Sequence, residues 1–441
     1  MKARAGDSTS KGGGDGVAFD ESRARWLRRE LIAHEASSSK RPKDSARASK
    51  LVAAKYARMA ENAFAFFRGT AWLRPSEPSA FKTTASSQIA LTGDPHPENV
   101  GTVAGTDGTL ALAFNDFDRA GYGSFVDDVR RLALSMWITS EVADLKRKQR
   151  ATIASAAVDG YLAEVKAMSS SQGGAPVSPV DGLFGGRFQK ILNAPDSDET
   201  ALGVPASSAD TTLARAVIRK YLAGDHPASW LADVHAGGRA SSGALKRLFA
   251  IKRVLRRNAG IASYTVLRLR VVLEGPTSDD GDDWTIEIKE SLAPSAELVV
   301  AIQSQFNAPP FDDPLLGWAS VDGREYRVRR VSPALRRISV ERIAKEIRKG
   351  RSDKDDLSSL GLALGRMLAR GHCTALDKKG RPGLSAIASA ITSSKRFRDD
   401  VVGYAERVAA ANNADFRLFR QLLNRNGGLA SEAEASIGKA R

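Results

Sequence analysis

The stretch from Leu91 to Ala120 restricts the local fold of this chain more tightly than any other segment. Two arms rich in apolar residues, Val100–Ala104 and Thr109–Phe114, flank Thr106-Asp107-Gly108, and this pattern predicts a β-hairpin. A hairpin brings its two ends together, so the residues before the first arm and after the second should meet at one edge. The segment therefore predicts one polar edge built from two separate pieces of sequence.

The residues expected at that edge carry oxygen atoms suited to a hard cation. Asp94 and Asn99 precede the first arm, and Asp116 follows the second. Carboxylate and carboxamide oxygens are ligands that Mg²⁺ accepts, so their convergence predicts a magnesium site. The competing interpretation is that these side chains only cap turns, which Asp and Asn do routinely.

Length and composition are those of a globular protein with a large core. The 441 residues allow two or three subdomains, and 42% of them are hydrophobic. The sequence contains no run of about 18 apolar residues, so neither a membrane-spanning helix nor a membrane partner is expected. The polar residues 1–17 predict a disordered tail and not a secretory signal, and residues 426–441 predict a flexible tail.

The chain is strongly basic, with a formal net charge of +15. Such a surface attracts polyanions, including nucleotides and nucleic acid. Aromatic residues make up only 7% of the chain, and none of the basic runs is rich in stacking residues, so nucleic acid is a permitted partner but not a favoured one. The basic run Leu245–Arg257 has helical apolar spacing and predicts an amphipathic helix with a solvated basic face.

The one cysteine, Cys373, lies in an apolar helical pattern and is expected to be an inert core thiol. No internal disulfide is expected, which fits a reducing cytoplasm. The five histidines are scattered, and their spacing does not suggest a zinc site. We therefore expect a cytoplasmic protein.

The second half of the chain predicts a small antiparallel sheet. Strands are expected at Thr265–Leu273 and Trp284–Glu290, joined by an acidic loop and preceded by the small-residue loop 258–263. Lys289 lies on the second of these strands. Further elements are expected in chain order: a helix at Ala296–Gln305, a strand at Glu325–Val331, and an amphipathic helix at Asp356–Thr374 whose Gly361 and Gly365 suggest close backbone approach to a neighbour.

These pieces match the chemical needs of kinase phosphoryl transfer. An aspartate orients the acceptor hydroxyl, Asn and Asp side chains hold Mg²⁺, and a strand lysine grips the phosphates beneath a loop of small residues. In this chain Asp94 and His96 are the catalytic candidates. The metal candidates are Asn99, Asp116 and Asp118, and the nucleotide-binding candidates are Lys289, Gly260, Ser263 and Arg68. For Arg68 the alternative is a structural ion pair.

The motif Gly93-Asp94-x-His96-x-x-Asn99, a hairpin, and then Asn115-Asp116-Phe117-Asp118 resembles the catalytic and metal-binding loops of aminoglycoside and choline kinases. In those kinases the lysine-bearing lobe comes first, whereas here Lys289 follows the catalytic loop. The resemblance therefore implies an α+β, kinase-like two-lobe fold that is circularly permuted, with ATP and Mg²⁺ as cofactors. Its implied parts are a mostly helical large lobe at 18–250 and 333–425, and a small nucleotide-gripping β lobe at 251–332.

The chain also resembles a bacterial family named domain of unknown function twenty-two fifty-two, which looks like a permuted kinase. The matching pieces extend from about Ala53 to Phe419, and those in the first half are the more specific. Besides the loops above they include the following segments: Phe64-x-Phe66-Phe67-Arg68-Gly69-Thr70, Asp128-x-x-Arg131-Leu132-Ala133, Val271-Val272-Leu273-Glu274-Gly275, Ile288-Lys289-Glu290, Leu316-Gly317-Trp318 and Leu368-Ala369-Arg370-Gly371-His372.

Two features depart from that pattern. Ala262 and Thr265 stand where the resemblance would place glycines of the phosphate loop, and Gly260 alone remains. The resemblance also implies a helix glutamate that pairs with Lys289: Glu297 is the candidate, but the family's acidic position falls on Ala301.

Three functions are consistent with the sequence. The first is an ATP- and Mg²⁺-dependent phosphotransferase acting on an unknown small-molecule or protein hydroxyl. The second is a pseudokinase, or a nucleotide- or polyanion-binding module without turnover. The loss of glycines from the predicted phosphate loop favours it. The third, a metal-dependent phosphoesterase, is the weakest, because it needs further clusters of His, Asp and Asn that the sequence does not offer.

Overall fold

The structure is a computed structural model and describes most of the chain. The described residues are 20–38, 45–73, 78–82, 88–104, 110–170, 203–223, 248–257, 266–275, 277, 279–291, 294–307, 313, 315–331, 336–424 and 428–439. The predicted tail at 1–17 lies outside them, as do Gly260 and Ser263 of the predicted phosphate loop.

The fold is mixed α+β, and every strand pair in the described part of the chain is antiparallel. The helices are α1 Glu21–Ser38, α2 Ser45–Met59, α3 Ala63–Gly69, α4 Phe125–Val142, α5 Arg147–Ser169, α6 Ser208–Leu222, α7 Ala296–Phe306, α8 Val340–Arg348, α9 Lys354–Thr374, α10 Leu384–Ala390, α11 Ser394–Asn424 and α12 Leu429–Lys439. The strands are β1 Ile89–Leu91, β2 Val100–Ala104, β3 Leu110–Phe114, β4 Gly121–Gly123, β5 Val204–Pro205, β6 Ile251–Arg256, β7 Arg268–Leu273, β8 Trp284–Ser291, β9 Gly317–Val321 and β10 Arg324–Arg330.

The predicted hairpin is confirmed, and a second strand pair encloses it. Strands β2 and β3 pair from Val100 opposite Phe114 to Ala104 opposite Leu110. Strand β1, before the hairpin, pairs with β4, after it. The two connections between these pairs, residues 92–99 and 115–120, are therefore held at both ends and brought to the same edge. The turn residues 105–109 lie outside the described part of the chain.

The six-stranded sheet has the order β5-β6-β7-β8-β10-β9. Its core includes Leu269 and Val271 of β7, Ile286 and Ile288 of β8, and Val328 of β10. Each of these five side chains is at most 1% exposed. Successive residues of a strand point to opposite faces of the sheet. The residues that alternate with these five, among them Arg270, Glu287 and Lys289, therefore lie on the other face.

The edge of this sheet differs from the prediction. Leu245–Arg257 was predicted to be an amphipathic helix, which is wrong, because residues 251–256 pair as strand β6 with β5 and β7, and sheet pairing overrides the helical spacing. The sheet also extends outside the predicted lobe at 251–332. Strand β5 joins it, and α6 packs Val217 and Tyr221 into the same core.

The C-terminal residues were predicted to be a flexible tail, and this is also wrong for 429–439. They form helix α12, which packs against α1 and α2. Leu429 and Ala433 are 2% and 0% exposed, so burial of its apolar side chains holds the helix in place despite its polar sequence.

The helical part of the molecule is centred on α9, which packs along α5. Close backbone approach at Gly361 and Gly365 is confirmed: a Cβ at Gly365 would lie 1.9 Å from the carbonyl oxygen of Ala157. Cys373 near the end of α9 is 1% exposed, and burial raises its pKa to about 12, so it is a core thiol as predicted. In the part of the chain that the structure describes, no helix has the length and apolarity needed to cross a bilayer.

Candidate functional site

The connection between β1 and β2, which carries Asp94, is fixed by a buried carboxylate on α4. Asp128 accepts hydrogen bonds from the Thr92 backbone N–H at 2.8 Å, the Thr92 hydroxyl at 3.0 Å and the Gly93 N–H at 3.1 Å. On the other side, His372 Nε2 lies 3.2 Å from Asp128 Oδ2, and His372 Nδ1 lies 3.0 Å from the hydroxyl of Tyr161. From α4, Asp128 therefore links the loop to His372 of α9 and, through His372, to Tyr161 of α5.

Position 93 leaves no room for a side chain. Its φ is +79°, and a Cβ would lie 1.9 Å from the carbonyl oxygen of Arg119. The two loops of the site therefore touch backbone to backbone at this position, which only glycine permits.

We expect Gly93→Ala to be strongly destabilising. The left-handed backbone costs an alanine about 1 kcal/mol, and the contact with Arg119 adds to that cost. Gly323→Ala is the matched control, because Gly323 also has a positive φ (+71°) but open space around it. Denaturant unfolding should give a clearly larger loss for Gly93→Ala, and equal losses would show that the two loops do not touch.

Asp94 is 6% exposed and is held by an arginine. Arg131 Nε donates to Asp94 Oδ1 at 2.8 Å, and the Arg131 guanidinium also stacks 3.4 Å from the centroid of the Phe67 ring. Burial raises the pKa of Asp94, but Arg131, His96 and Arg119 more than offset this, so the pKa is lowered overall. Asp94 is therefore an ionised, oriented carboxylate at neutral pH.

His96 is a buried, uncharged imidazole. Its side chain contacts the rings of Phe64 and Phe67 edge to face, and its Nε2 lies 3.8 Å from Asp94 Oδ2. Burial, offset only in part by Asp94, lowers its pKa to about 3. A group with this pKa does not exchange protons near neutral pH, so His96 can position Asp94 but is poorly suited to general acid–base catalysis.

Asn99 and Asp116 are brought to the same edge by the hairpin. The Asn115 N–H donates to the carbonyl oxygen of Asn99 at 3.0 Å, which places Asp116 directly after the contact. The Asn99 amide donates to the carbonyl oxygen of Asp94 at 2.9 Å. The carboxamide oxygen of Asn99 and the carboxylate of Asp116, one oxygen of which accepts from the Asp118 N–H at 3.2 Å, are oxygen atoms that could coordinate a hard cation at this edge.

Lys289 reaches this edge from the six-stranded sheet. Its Nζ forms an ion pair with Asp118 Oδ2, and Asp118 Oδ1 accepts from Arg327 Nη2 at 3.1 Å. Burial raises the pKa of Asp116, but the charges of Lys289, Arg327 and Arg268 lower it overall. Lys289 and Asp118 are 171 residues apart in sequence. Their ion pair nevertheless brings the hairpin edge and the strand that carries Lys289 into direct contact at one site.

Arg68 and Glu297, both considered for binding roles, have the following surroundings. Arg68 pairs with Glu98, which is the structural ion pair given as the alternative to phosphate binding. Glu297, the candidate partner of Lys289 on α7, is exposed, and Lys289 pairs with Asp118 instead. The acidic partner of the lysine therefore comes from the loop after β3 and not from the helix after β8.

Helix α7 contributes a neutral side chain to this region. Gln303 is 5% exposed, and its Oε1 lies 3.5 Å from Arg327 Nη1. The helix therefore faces the cations of the sheet with an amide and not with a carboxylate.

Several residues that build the site were not assigned these roles from sequence. Asp128 holds the loop, Arg131 orients Asp94, and Arg327 shares Asp118 with Lys289. Asp128 and Arg131 are three residues apart on α4, so they lie on one face of that helix, and this spacing was the available signal. Nothing in the local sequence around Arg327 distinguishes it from the other arginines of β10.

In the part of the chain that the structure describes, side chains alone do not form a complete metal cage. Within the described ranges, no group of three or more His, Cys, Asp or Glu side chains is placed to hold a metal ion. A magnesium ion bound by one or two side chains is completed by water and substrate phosphates, so the donor set of Asn99 and Asp116 fits a nucleotide-associated ion better than a resident one.

Comparison with known proteins identifies the family of this chain. The family model described as "Uncharacterized protein conserved in bacteria (DUF2252)" matches residues 47–178 and 230–422. These two segments contain the β1–β4 loops with Asp94 and Asp116, and the strands with Lys289 and Arg327. Searches of curated proteins and of solved structures gave no match. Because the match covers most of the sequence, the chain belongs to the bacterial DUF2252 family.

Proposed function

We propose that the protein is an ATP- and Mg²⁺-dependent phosphotransferase of the kinase-like type, acting on an acceptor hydroxyl in the reducing cytoplasm. The observation that carries the proposal is the meeting of Asp118, two residues after Asp116, with Lys289 of β8. Kinase phosphoryl transfer needs a metal-binding aspartate and a phosphate-binding strand lysine on opposite sides of one site.

The topology of the sheet unit supports the same proposal. Lys289 lies on β8, the third strand of the run β6–β10, and helix α7 follows that strand directly. In protein kinases the phosphate-binding lysine also lies on the third strand, and the αC helix contributes to the site. The order of the pieces in this chain, catalytic loops first and lysine strand second, is what a circular permutation of a two-lobe kinase-like fold would produce.

Each residue has a role set by its surroundings. Asp94, ionised and oriented by Arg131, would accept a hydrogen bond from the acceptor hydroxyl and align it for attack. Lys289 would hold phosphate oxygens. Asn99 and Asp116 would hold Mg²⁺, which offsets the charge that develops on the phosphates during transfer.

The test is transfer of label from γ-labelled ATP to the protein itself or to cell extract, with and without EDTA. Wild type should transfer label only with Mg²⁺, and Asp94→Ala should not. Equal labelling by the two proteins would refute the assignment. A parallel reaction with α-labelled ATP separates phosphoryl from nucleotidyl transfer.

Nucleotide affinity should fall as pH rises through about 8. Burial and the neighbouring Arg268 lower the pKa of Lys289 to about 8, although Asp118 and Asp116 oppose this. Below that pH the lysine is charged and can bind phosphate, and above it the charge is lost. Calorimetric titration with ATP between pH 7 and pH 9, on the order of one pH unit to either side of the pKa, should show the decline. Lys289→Arg, which stays charged, should bind with a flat profile; a matching decline in that variant would assign the effect to another group.

A second candidate is a nucleotide- or polyanion-binding module without turnover. It is favoured by Ala262 and Thr265, which stand where the kinase resemblance would place glycines of the phosphate loop, and by the net charge of +15, which attracts polyanions whether or not transfer follows. Mg²⁺-dependent transfer that Asp116→Ala abolishes would exclude this candidate. The net charge of +15 also permits nucleic acid as a partner, but the low aromatic content of the chain does not favour it.

A further inference from the structure

Lys289 lies in a row of three cations that runs across three strands. Arg268 of β7 and Arg327 of β10 are its cross-strand partners on either side. The residues of the row are buried: as whole residues, Arg268 is 5% exposed, Lys289 3% and Arg327 2%. Neighbouring like charges repel, and buried charges need compensation, so such a row requires anions against it.

The next row along the same face is balanced differently. Glu287 lies between Arg270 and Arg329, and its carboxylate pairs with both and with Arg268. The Glu287 carboxylate therefore already offsets the charges of three arginines and is not placed to offset those of Lys289 and Arg327 as well. Compensation for Lys289 and Arg327 has to come from outside the sheet.

Asp118 supplies that compensation from the loop after β3. One carboxylate oxygen pairs with Lys289 and the other accepts from Arg327 at 3.1 Å. The Asp118 side chain is 28% exposed, while those of Lys289 and Arg327 are 4% and 3% exposed. Asp118 thus lies at the solvent side of the two buried cations, where an incoming ligand would arrive.

The two cations retain capacity for a further acceptor. Arg327 Nε is buried and has no hydrogen-bond partner among the described residues. A diphosphate group offers more acceptor oxygens and more negative charge than one carboxylate, and guanidinium and ammonium groups both bind phosphate oxygens. A phosphate ligand could therefore replace Asp118 and satisfy the row more completely.

We propose that Lys289 and Arg327, the two cations of the row that Glu287 does not compensate, bind the diphosphate part of a nucleotide, and that Asp118 is an internal anion which this ligand displaces. The inference rests on the proposed function in taking Lys289 as the phosphate-binding lysine. It adds Arg327 as a binding residue. It also makes Asp118 a gate, meaning an anion that has to leave before the phosphate binds, in place of the metal ligand predicted from sequence.

The test measures binding of pyrophosphate, ADP and adenosine to the full chain by calorimetry in EDTA. Wild type should bind pyrophosphate and ADP but not adenosine. Asp118→Asn should bind pyrophosphate about ten- to a hundredfold more tightly, the factor expected when a competing charge-assisted hydrogen bond is removed. The double variant Asp118→Asn/Arg327→Gln removes one charge of each sign, and it should lose that gain.

Asp400→Asn is the matched control. Asp400 is 26% exposed and pairs with Arg130, which is 3% exposed, so the pair resembles Asp118 and Arg327 in burial but lies between helices α4 and α11. Its substitution should leave pyrophosphate affinity unchanged. An Asp118→Asn protein that binds no more tightly than wild type, or a double variant that keeps the gain, would overturn the proposal.

These outcomes separate the two proposals. If pyrophosphate binding follows the expected pattern but no label is transferred from ATP, the binding of diphosphate by Lys289 and Arg327 stands and the phosphotransferase proposal fails. If label is transferred while Asp118→Asn binds like wild type, the phosphotransferase proposal stands and the gate is wrong.

Discussion

Asp116→Asn should reduce phosphoryl transfer on the order of 10³-fold, because the variant loses the carboxylate charge that would hold Mg²⁺ against the phosphates. The backbone should be little affected. Asp116 Oδ1 accepts a hydrogen bond from the Asp118 N–H at 3.2 Å, and the carboxamide oxygen of an asparagine can accept the same bond. The measurement is the rate of label transfer from γ-labelled ATP at saturating Mg²⁺.

Asp210→Asn provides the control for this experiment. Asp210 is 9% exposed, and its carboxylate pairs with Arg256 at 3.0 Å on the β6 side of the same sheet. Its loss should leave transfer near the wild-type rate. If Asp116→Asn retains wild-type activity, Asp116 does not hold the metal.

Asp128→Ala should lower the free energy of unfolding by about 3–5 kcal/mol, because several buried donors lose their shared acceptor and each unsatisfied donor costs about 1–3 kcal/mol. Asp128 is 2% exposed, and the substitution leaves the Thr92 and Gly93 N–H groups without their acceptor. The loop that carries Asp94 should loosen at the same time. Denaturant unfolding measures the loss, and hydrogen exchange at residues 92–94 measures the loosening.

Asp127 is the adjacent control on the same helix. Its side chain is 33% exposed and lies 3.5 Å from Lys82, so Asp127→Ala should cost at most about 1 kcal/mol. Similar losses for the two variants would mean that Asp128 does not hold the loop.

The hairpin and its polar edge could be predicted because they depend on local sequence. Apolar arms around a Gly-containing turn define β2 and β3, and the convergence of Asn99 with Asn115 follows from that geometry. The packing of α9 was likewise predictable, since Gly361 and Gly365 recur at helical spacing.

The rest of the site depends on contacts between distant parts of the chain. Asp128 contacts His372, which is 244 residues away, and Asp118 contacts Arg327, which is 209 residues away. A single sequence gives no measure of such distances. The helical spacing of β6 was misleading for the same reason, because its pairing with β5 and β7 is decided by residues outside the segment.

Calorimetric titration of the full chain with ATP, with and without Mg²⁺, tests most directly whether the hairpin and the sheet form one nucleotide site. We predict that wild type binds MgATP, that Asp116→Asn loses the Mg²⁺ dependence, and that Lys289→Met binds neither form. Wild-type protein that binds no nucleotide, or Lys289→Met that binds MgATP as tightly as wild type, would contradict the account.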